Sequence, residues 1–234
     1  MAATQAAALA AARRLADRHG QAEAHHGLAS AHVKLRRYDD ARTHLHHALD
    51  LYRDLGDHGG QARTHHVLAW MLARQGRHRE APDHARRALD LYRRTSHHHG
   101  QAAILNLIGW SHANLGDYRQ ALAYCRRALD LHRRIGDHGG QAGTWDSIGY
   151  AHHHLGHHRQ ATICYRRALG LYRQMGDRWG EADVLTHLGD THQAAGRPDA
   201  ARTTWRDAVA ILDELDHADA AHVRARLHRL GDPA

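Results

Sequence analysis

GQAEAHHGLA at residues 20–29, GQARTHHVLA at 60–69, GQAAILNLIG at 100–109, GQAGTWDSIG at 140–149 and GEADVLTHLG at 180–189 are five versions of one decapeptide, spaced 40 residues apart. The copies define contiguous units at 20–59, 60–99, 100–139, 140–179 and 180–219. A period of roughly 20–50 residues marks a stacked repeat architecture, in which each unit buries its apolar face only against its neighbours. Recognition along an extended surface then becomes the natural function, and an active site in a closed pocket a poor one.

Within the unit 100–139, Ile104, Leu105, Ile108, His112 and Leu115 recur at three- and four-residue steps, the helical period. Gly116 breaks the pattern, and Asp117 stands where it can cap a second helix. Ala121, Tyr124, Cys125, Ala128, Leu129 and Leu131 form the second apolar stripe, Gly136 ends it, and Asp137 can cap the next unit. Each copy therefore reads as helix A, a turn, helix B and a loop, with breaks near Gly56, Gly76, Gly116, Gly136, Gly156, Gly176 and Gly196. Small residues recur at Ala29, Ala69, Gly109, Gly149 and Gly189, where they let helix B approach helix A closely. Trp145 and Trp205 fall on core positions and read as packing.

Leu105, Ile108-Gly109, His112, Gly116, Tyr118, Ala121 and Ala128, with Trp145, Ile148-Gly149, His152, Gly156, Ala161 and Ala168 one unit later, resemble the tetratricopeptide repeat. The unit is longer than that family's usual ~34 residues, and the additional residues lengthen helix B and the GDHGG loop. Long units of this kind are similar to the tetratricopeptide modules of actinobacterial regulatory and signalling proteins. The resemblance implies an all-α, right-handed α-solenoid of five helix-turn-helix repeats with terminal capping helices. Residues 1–19 match a helix B alone, Ala8-Leu9 aligning with Ala48-Leu49 and Leu15 with Leu55, and read as an N-terminal capping helix or half repeat. Residues 220–234 read as a C-terminal capping helix and tail. No G-x-x-x-x-G-K-[ST] is present, so the nucleotide-binding part of such regulators is not encoded in these residues.

In the family, helix A lines a concave groove. Counted from the small residue, groove positions lie three before it, one after it and five after it. Carried over, these are His26, His66, Asn106, Asp146 and Thr186; Ser30, Trp70, Trp110, Tyr150 and Asp190; and Lys34, Arg74, Asn114, His154 and Ala194. Two readings of Trp70, Trp110 and Tyr150 stand: packing between repeats, or an aromatic ladder offered to a partner. Asn106 and Asn114 are the only asparagines in the chain, and an amide can grip a peptide backbone with donor and acceptor together. Arg63, Arg74 and Lys34 precede Asp146, Asp183 and Asp190 along the chain, a charge gradient that would orient an extended peptide. The partner-binding set is thus His26, Ser30, Arg63, His66, Trp70, Arg74, Asn106, Trp110, Asn114, Asp146, Tyr150, His154 and Asp190.

The chain holds 28 histidines, and every basic residue but Lys34 is arginine. His32, His112, His152 and His192 share one repeat address and read as semi-buried, hydrogen-bonded residues. His97–His99 and the cluster His152, His153, His154, His157 and His158 lack a definite metal spacing, because adjacent helical residues point about 100° apart. No metal or cofactor is expected, and no catalytic motif stands out. Cys125 and Cys164 lie one repeat apart, roughly 10 Å by helix packing, too far for a disulfide. With no long apolar run, no membrane span is expected, and a cytoplasmic location fits. The expected partner is a protein or peptide in the groove, with oligomerisation open. The alternative is a small-ligand-binding or accessory protein of specialised metabolism, including a histidine-dependent metal enzyme. The arginine pairs Arg86-Arg87, Arg126-Arg127 and Arg166-Arg167 read as a solvated convex face beside Asp90 and Asp130. Binding to nucleic acid should therefore be weak and fade steeply with salt; sequence-specific retardation of DNA or RNA at physiological salt in a gel-shift assay would contradict this.

Overall fold

A computed structural model describes residues 2–231; Met1 and residues 232–234, the end of the expected tail, lie outside the described residues. The described residues form twelve helices and no strand: α1 (Ala2–Arg14), α2 (Arg18–Lys34), α3 (Tyr38–Asp54), α4 (His58–Arg74), α5 (Ala81–Arg94), α6 (His98–Asn114), α7 (Tyr118–Arg134), α8 (His138–His154), α9 (His158–Met175), α10 (Arg178–Ala194), α11 (Pro198–Glu214) and α12 (Asp219–Arg229). The even-numbered helices α2 to α10 are the expected helices A, each starting two residues ahead of its decapeptide. The chain divides into two compact units, Met1–Leu115 with α1 to α6 and Gly116–Ala234 with α7 to α12. In the first, each helix packs on the next, and α2, α4 and α6 also touch in succession. The second repeats that arrangement, with α8 against α10.

Each helix A opens on a side-chain cap. Asp17, Asp57, Asp137 and Asp177 accept the N–H of Gly20, Gly60, Gly140 and Gly180 at 2.8–2.9 Å. His97 Nδ1 does the same for Gly100 at 2.9 Å. These bonds satisfy a first-turn donor that no helical carbonyl can reach. The cap expected of Asp117 is not made: it occupies the N-cap of α7 without a capping bond. Its ψ of 56° departs from the 87–96° of the four capping aspartates.

The seven glycines anticipated as breaks all adopt the left-handed conformation, with φ between +66° and +85°. Ala16, Arg36, Ser96 and Asp216 take the equivalent place at other helix ends with φ of +47° to +59°. Helix α5 starts later than its counterparts because Pro82 sits in its first turn, where its ring disfavours helix in the residues just ahead.

The decapeptide glycine has a second duty. A Cβ at Gly60, Gly100, Gly140 or Gly180 would lie 2.0–2.6 Å from the ring of Tyr52, Tyr92, His132 or Tyr172, which ends the preceding helix B. The next residue ties the same joint: Gln61 and Gln101 donate to the carbonyls of Tyr52 and Tyr92 at 3.3 and 3.1 Å. In the last repeat Glu181 replaces glutamine and pairs with Arg173 and Arg178, both at 2.7 Å.

Within a repeat, the small-residue column matches its partner in size. Gly149 faces the ring of Tyr165 and Gly189 that of Trp205, at distances a Cβ would reduce to 2.6 and 2.4 Å. Where helix B carries Leu45, helix A carries Ala29, and both are fully buried in one cluster. Trp205 is buried and Trp145 packs, partly exposed, against the core of the second unit, with Arg133 and Arg167 stacked over its indole. At the ends, Leu9 of α1 joins Ala24 and Leu28, while α12 buries Ala220, Val223 and Leu227 against the last repeat. The aligned Leu15 and Leu55 are both exposed. Cys125 and Cys164 form no disulfide and are buried, and burial raises their thiols to about 12 and about 11.

The size matching makes a prediction. Gly189→Ala should destabilise the protein by about 2 kcal/mol through overpacking on Trp205. Combining it with Trp205→Leu, the pairing of the first repeat, should cost less than the sum of the two single changes. A double-mutant cycle by thermal denaturation that finds simple additivity would refute the matching.

Candidate functional site

Helix A presents the same face in every repeat. The small residue is buried, while the positions three before it and one after it are partly exposed throughout, from His26 and Ser30 to Thr186 and Asp190. The positions five after it, Lys34, Arg74, Asn114, His154 and Ala194, are exposed.

In the first unit, His26 of α2 and Arg63, His66 and Trp70 of α4 line one open cavity of about 380 Å³. Val67 and Tyr92 complete it. Tyr92 comes from helix B of the same repeat and meets His66 edge-on, hydroxyl to Nδ1 at 3.3 Å. Burial, reinforced by His99, lowers His66 to about 4, so this imidazole is neutral at pH 7. Burial also lowers His26. Arg63 is ion-paired with Glu23, which also accepts the Tyr52 hydroxyl at 2.7 Å. The patch is therefore aromatic and close to uncharged. Arg74 lies over the Trp70 indole at 5.1 Å, and Trp70 remains 36% exposed, the most open ring of the expected ladder. Trp110 is half-buried. Asn114 donates to the Trp110 carbonyl at 2.9 Å and Ser30 to the His26 carbonyl at 3.1 Å, so both use polar capacity within their own helices.

In the second unit, Asp146 of α8 accepts from His187 of α10 at 2.9 Å. Asp183 joins them, with one ligand atom of each residue within 4.8 Å of the others. Burial pulls His187 down, but the charge and hydrogen bond of Asp146, with Asp183 and Asp190, outweigh it and hold the imidazolium up to about 9. Asp190 is paired with Arg226 of α12 at 2.8 Å. Tyr150 packs on His154, ring centroids 4.3 Å apart, and His154 stacks on Tyr118 at 5.2 Å. The charge gradient is thus weaker than the sequence suggests: Arg63, Asp146 and Asp190 each carry a compensating partner.

The histidines hold two corrections. His152 Nδ1 meets His157 Nδ1 at 3.4 Å, but the expected hydrogen bond fails at His32, whose Nδ1 stands 3.7 Å from Asp40, and at His192, whose buried Nδ1 has no partner among the described residues. Histidine contacts concentrate elsewhere, in the paired rings His25–His44 and His65–His84, Nδ1 to Nδ1 at 2.8 and 3.0 Å. The groups that converge with metal-like spacing are Asp146, Asp183 and His187, and His19, Glu23 and Asp57, not the histidine runs of the sequence. His187 escaped sequence reasoning because it sits two before the small residue, off the counted offsets; packing of α10 on α8 brings it to Asp146. Tyr92 lies on helix B, whereas the counted groove offsets all fall on helix A.

The arginines of helix B pair at i,i+3 with aspartates: Arg53 with Asp50, Arg86 with Asp83 and Arg93 with Asp90, at 3.1–3.3 Å and well exposed. No helix among the described residues is long and apolar enough to cross a membrane.

The tetratricopeptide-repeat family profile matches residues 20–94 and 100–174. The chain belongs to the tetratricopeptide-repeat family, and its fold class is the all-α helical-repeat solenoid. Among solved structures it is similar to BtubC (BKLC) from P. vanneervenii, with 21% identity over 92% of this chain and 91% of that one and a TM-score of 0.76. It is similar to a Rap protein complexed with Competence and Sporulation Factor, with 17% identity, 92% and 65% coverage and a TM-score of 0.68. It also resembles a Signal Transduction ATPase with Numerous Domains from Pyrococcus horikoshii that carries a tetratricopeptide repeat sensor, with 16% identity and a TM-score of 0.73. The match covers 93% of this chain and 34% of that one. No curated protein sequence matches the chain.

The buried histidines set a pH dependence. His25, His65 and His66 titrate near 4 when folded, chiefly through burial, against about 6.5 when unfolded. Their contribution is complete above pH 6.5 and lost as pH falls toward 4, because the unfolded chain binds the extra protons. His187 acts oppositely, contributing fully below 6.5 and less as pH rises through 9. The thermal midpoint should fall between pH 7 and pH 5, and His66→Phe should flatten that fall; a midpoint unchanged over this range would refute the assignment.

Proposed function

We propose that this protein is a recognition scaffold that takes a protein or peptide segment along the exposed face of its helices A. The observation that carries this reading is the aromatic patch of His26, His66, Val67, Trp70 and Tyr92. It is concave, close to neutral and rimmed by Arg63 and Arg74. An open aromatic hollow with a polar rim is the usual composition of an interface hot spot. The uncharged imidazoles favour apolar or aromatic side chains of the partner. Ser30, Asn106, Trp110 and Asn114 extend the proposed surface in the first unit, and Asp146, Tyr150, His154 and Asp190 supply it in the second. The relatives lend support: the Rap structure holds a bound factor, and the Pyrococcus protein uses its repeats as a sensor. A role as an adaptor or as the sensory module of a regulator follows.

The test is selection of peptides from a random displayed library on the purified chain, followed by affinity measurement on variants. Trp70→Ala should weaken the selected peptides by about 2 kcal/mol, roughly 30-fold. Its thermal midpoint should stay close to that of the parent, since the ring is largely outside the core. Failure to select any peptide, or equal affinity of the Trp70→Ala protein, would overturn the proposal.

A further inference from the structure

The geometry points to a cationic side-chain slot in the second unit: the cavity walled by α10, α11 and α12 takes an arginine or lysine of the bound segment. This rests on the recognition role above and names one element of the partner's chemistry. The cavity is about 200 Å³, enough for one long side chain. Leu212 of α11 and Val223 of α12 give it apolar walls. The half-exposed indole of Trp179 stands in its lining, and Asp183 and Asp219 place carboxylates there. Apolar walls for a methylene stem, with an aromatic face and carboxylates for the charged head, are what an arginine or lysine requires.

Charge accounting distinguishes this cavity from an ordinary polar crevice. The His187 imidazolium is matched by Asp146, and Arg226 by Asp190. Asp183 makes no hydrogen bond or ion pair among the described residues; burial, with the charges of Asp146 and Asp219, raises its carboxyl against the lowering influence of His187 and His217, so the cluster keeps more carboxylates than cations. Among the described residues, the Asp219 carboxylate pairs only with the histidines His217 and His222, at 3.4 and 3.9 Å. A guanidinium or ammonium entering here gains a carboxylate without displacing an existing cation. A neutral side chain would leave Asp183 desolvated and unpaired, which supplies discrimination. The terminal helix α12 is then a wall of the binding surface as well as a cap.

The experiment uses the whole chain, labelled with 15N, and the indole N–H signals of its five tryptophans. Trp179 is assigned with Trp179→Phe. The probes are a capped pentapeptide with arginine flanked by alanines and its citrulline counterpart, equal in shape but uncharged, each with and without EDTA. The arginine peptide should shift the Trp179 signal saturably and the citrulline peptide should not. Asp183→Asn should lower affinity by about tenfold or more, and Asp219→Asn should lower it independently, which guards against a folding defect in one variant. Equal effects of the two peptides, no shift at Trp179, or full affinity in both variants would overturn the slot. A response abolished by EDTA would also overturn it and assign the carboxylates to a metal ion. Because Trp70 lies in the other unit, library selection that succeeds while the arginine peptide fails refutes the slot alone. Arginine binding without any selected peptide refutes the scaffold reading instead.

Discussion

The contact on which the structure depends is an aromatic or imidazole ring laid on a glycine. Tyr52, Tyr92, His132 and Tyr172 each end a helix B and rest on the third residue of the following helix A, where no Cβ can be accommodated. That glycine also donates the N–H held by the N-cap side chain. One residue therefore sets both the start of a helix and its distance from its predecessor. At His132 the two duties merge, because its Nδ1 bonds one carboxylate oxygen of Asp137 at 2.8 Å while the other oxygen caps Gly140. In a stacked architecture, where each repeat is stabilised only by its neighbours, such a joint must recur at every step.

The joint occupies only one side of helix A. With the small-residue column committed to helix B, the positions three before and one after it are partly exposed. Large or polar side chains there are spent on the surface, and their chemistry changes from repeat to repeat. In the first unit they include the imidazoles of His26 and His66, which burial keeps uncharged, and the indoles of Trp70 and Trp110. The second has carboxylates held by an imidazolium and a guanidinium. The same backbone position thus carries His66 in one repeat and Asp146 in another, with opposite electrostatic character.

The comparison of sequence with structure turns on specific side chains. The 40-residue spacing located the helices, the left-handed breaks and the size-matched column, since these depend on backbone conformation and steric volume repeated in register. The groove offsets bring His26, His66 and Trp70 to one hollow and the charge gradient adds Arg63, but neither points to Tyr92 of helix B. Asp117 makes no capping bond, and His32 and His192 make no hydrogen bond through Nδ1 among the described residues. Each miss concerns a direction in space that residue type alone does not fix.

By itself the sequence determined that this chain is a helical repeat with a 40-residue spacing, where its glycine breaks fall, and which residues must be small. These follow from local rules of period, capping and glycine conformation. Only the tertiary structure decided which charges are compensated. The partners of Asp146 and Asp190 are His187 and Arg226, 41 and 36 residues further along, and that of Arg63 is Glu23, 40 residues before it. Electrostatic character depends on distance and burial, and in a stacked repeat those are set by the neighbouring unit, a full period away in the sequence.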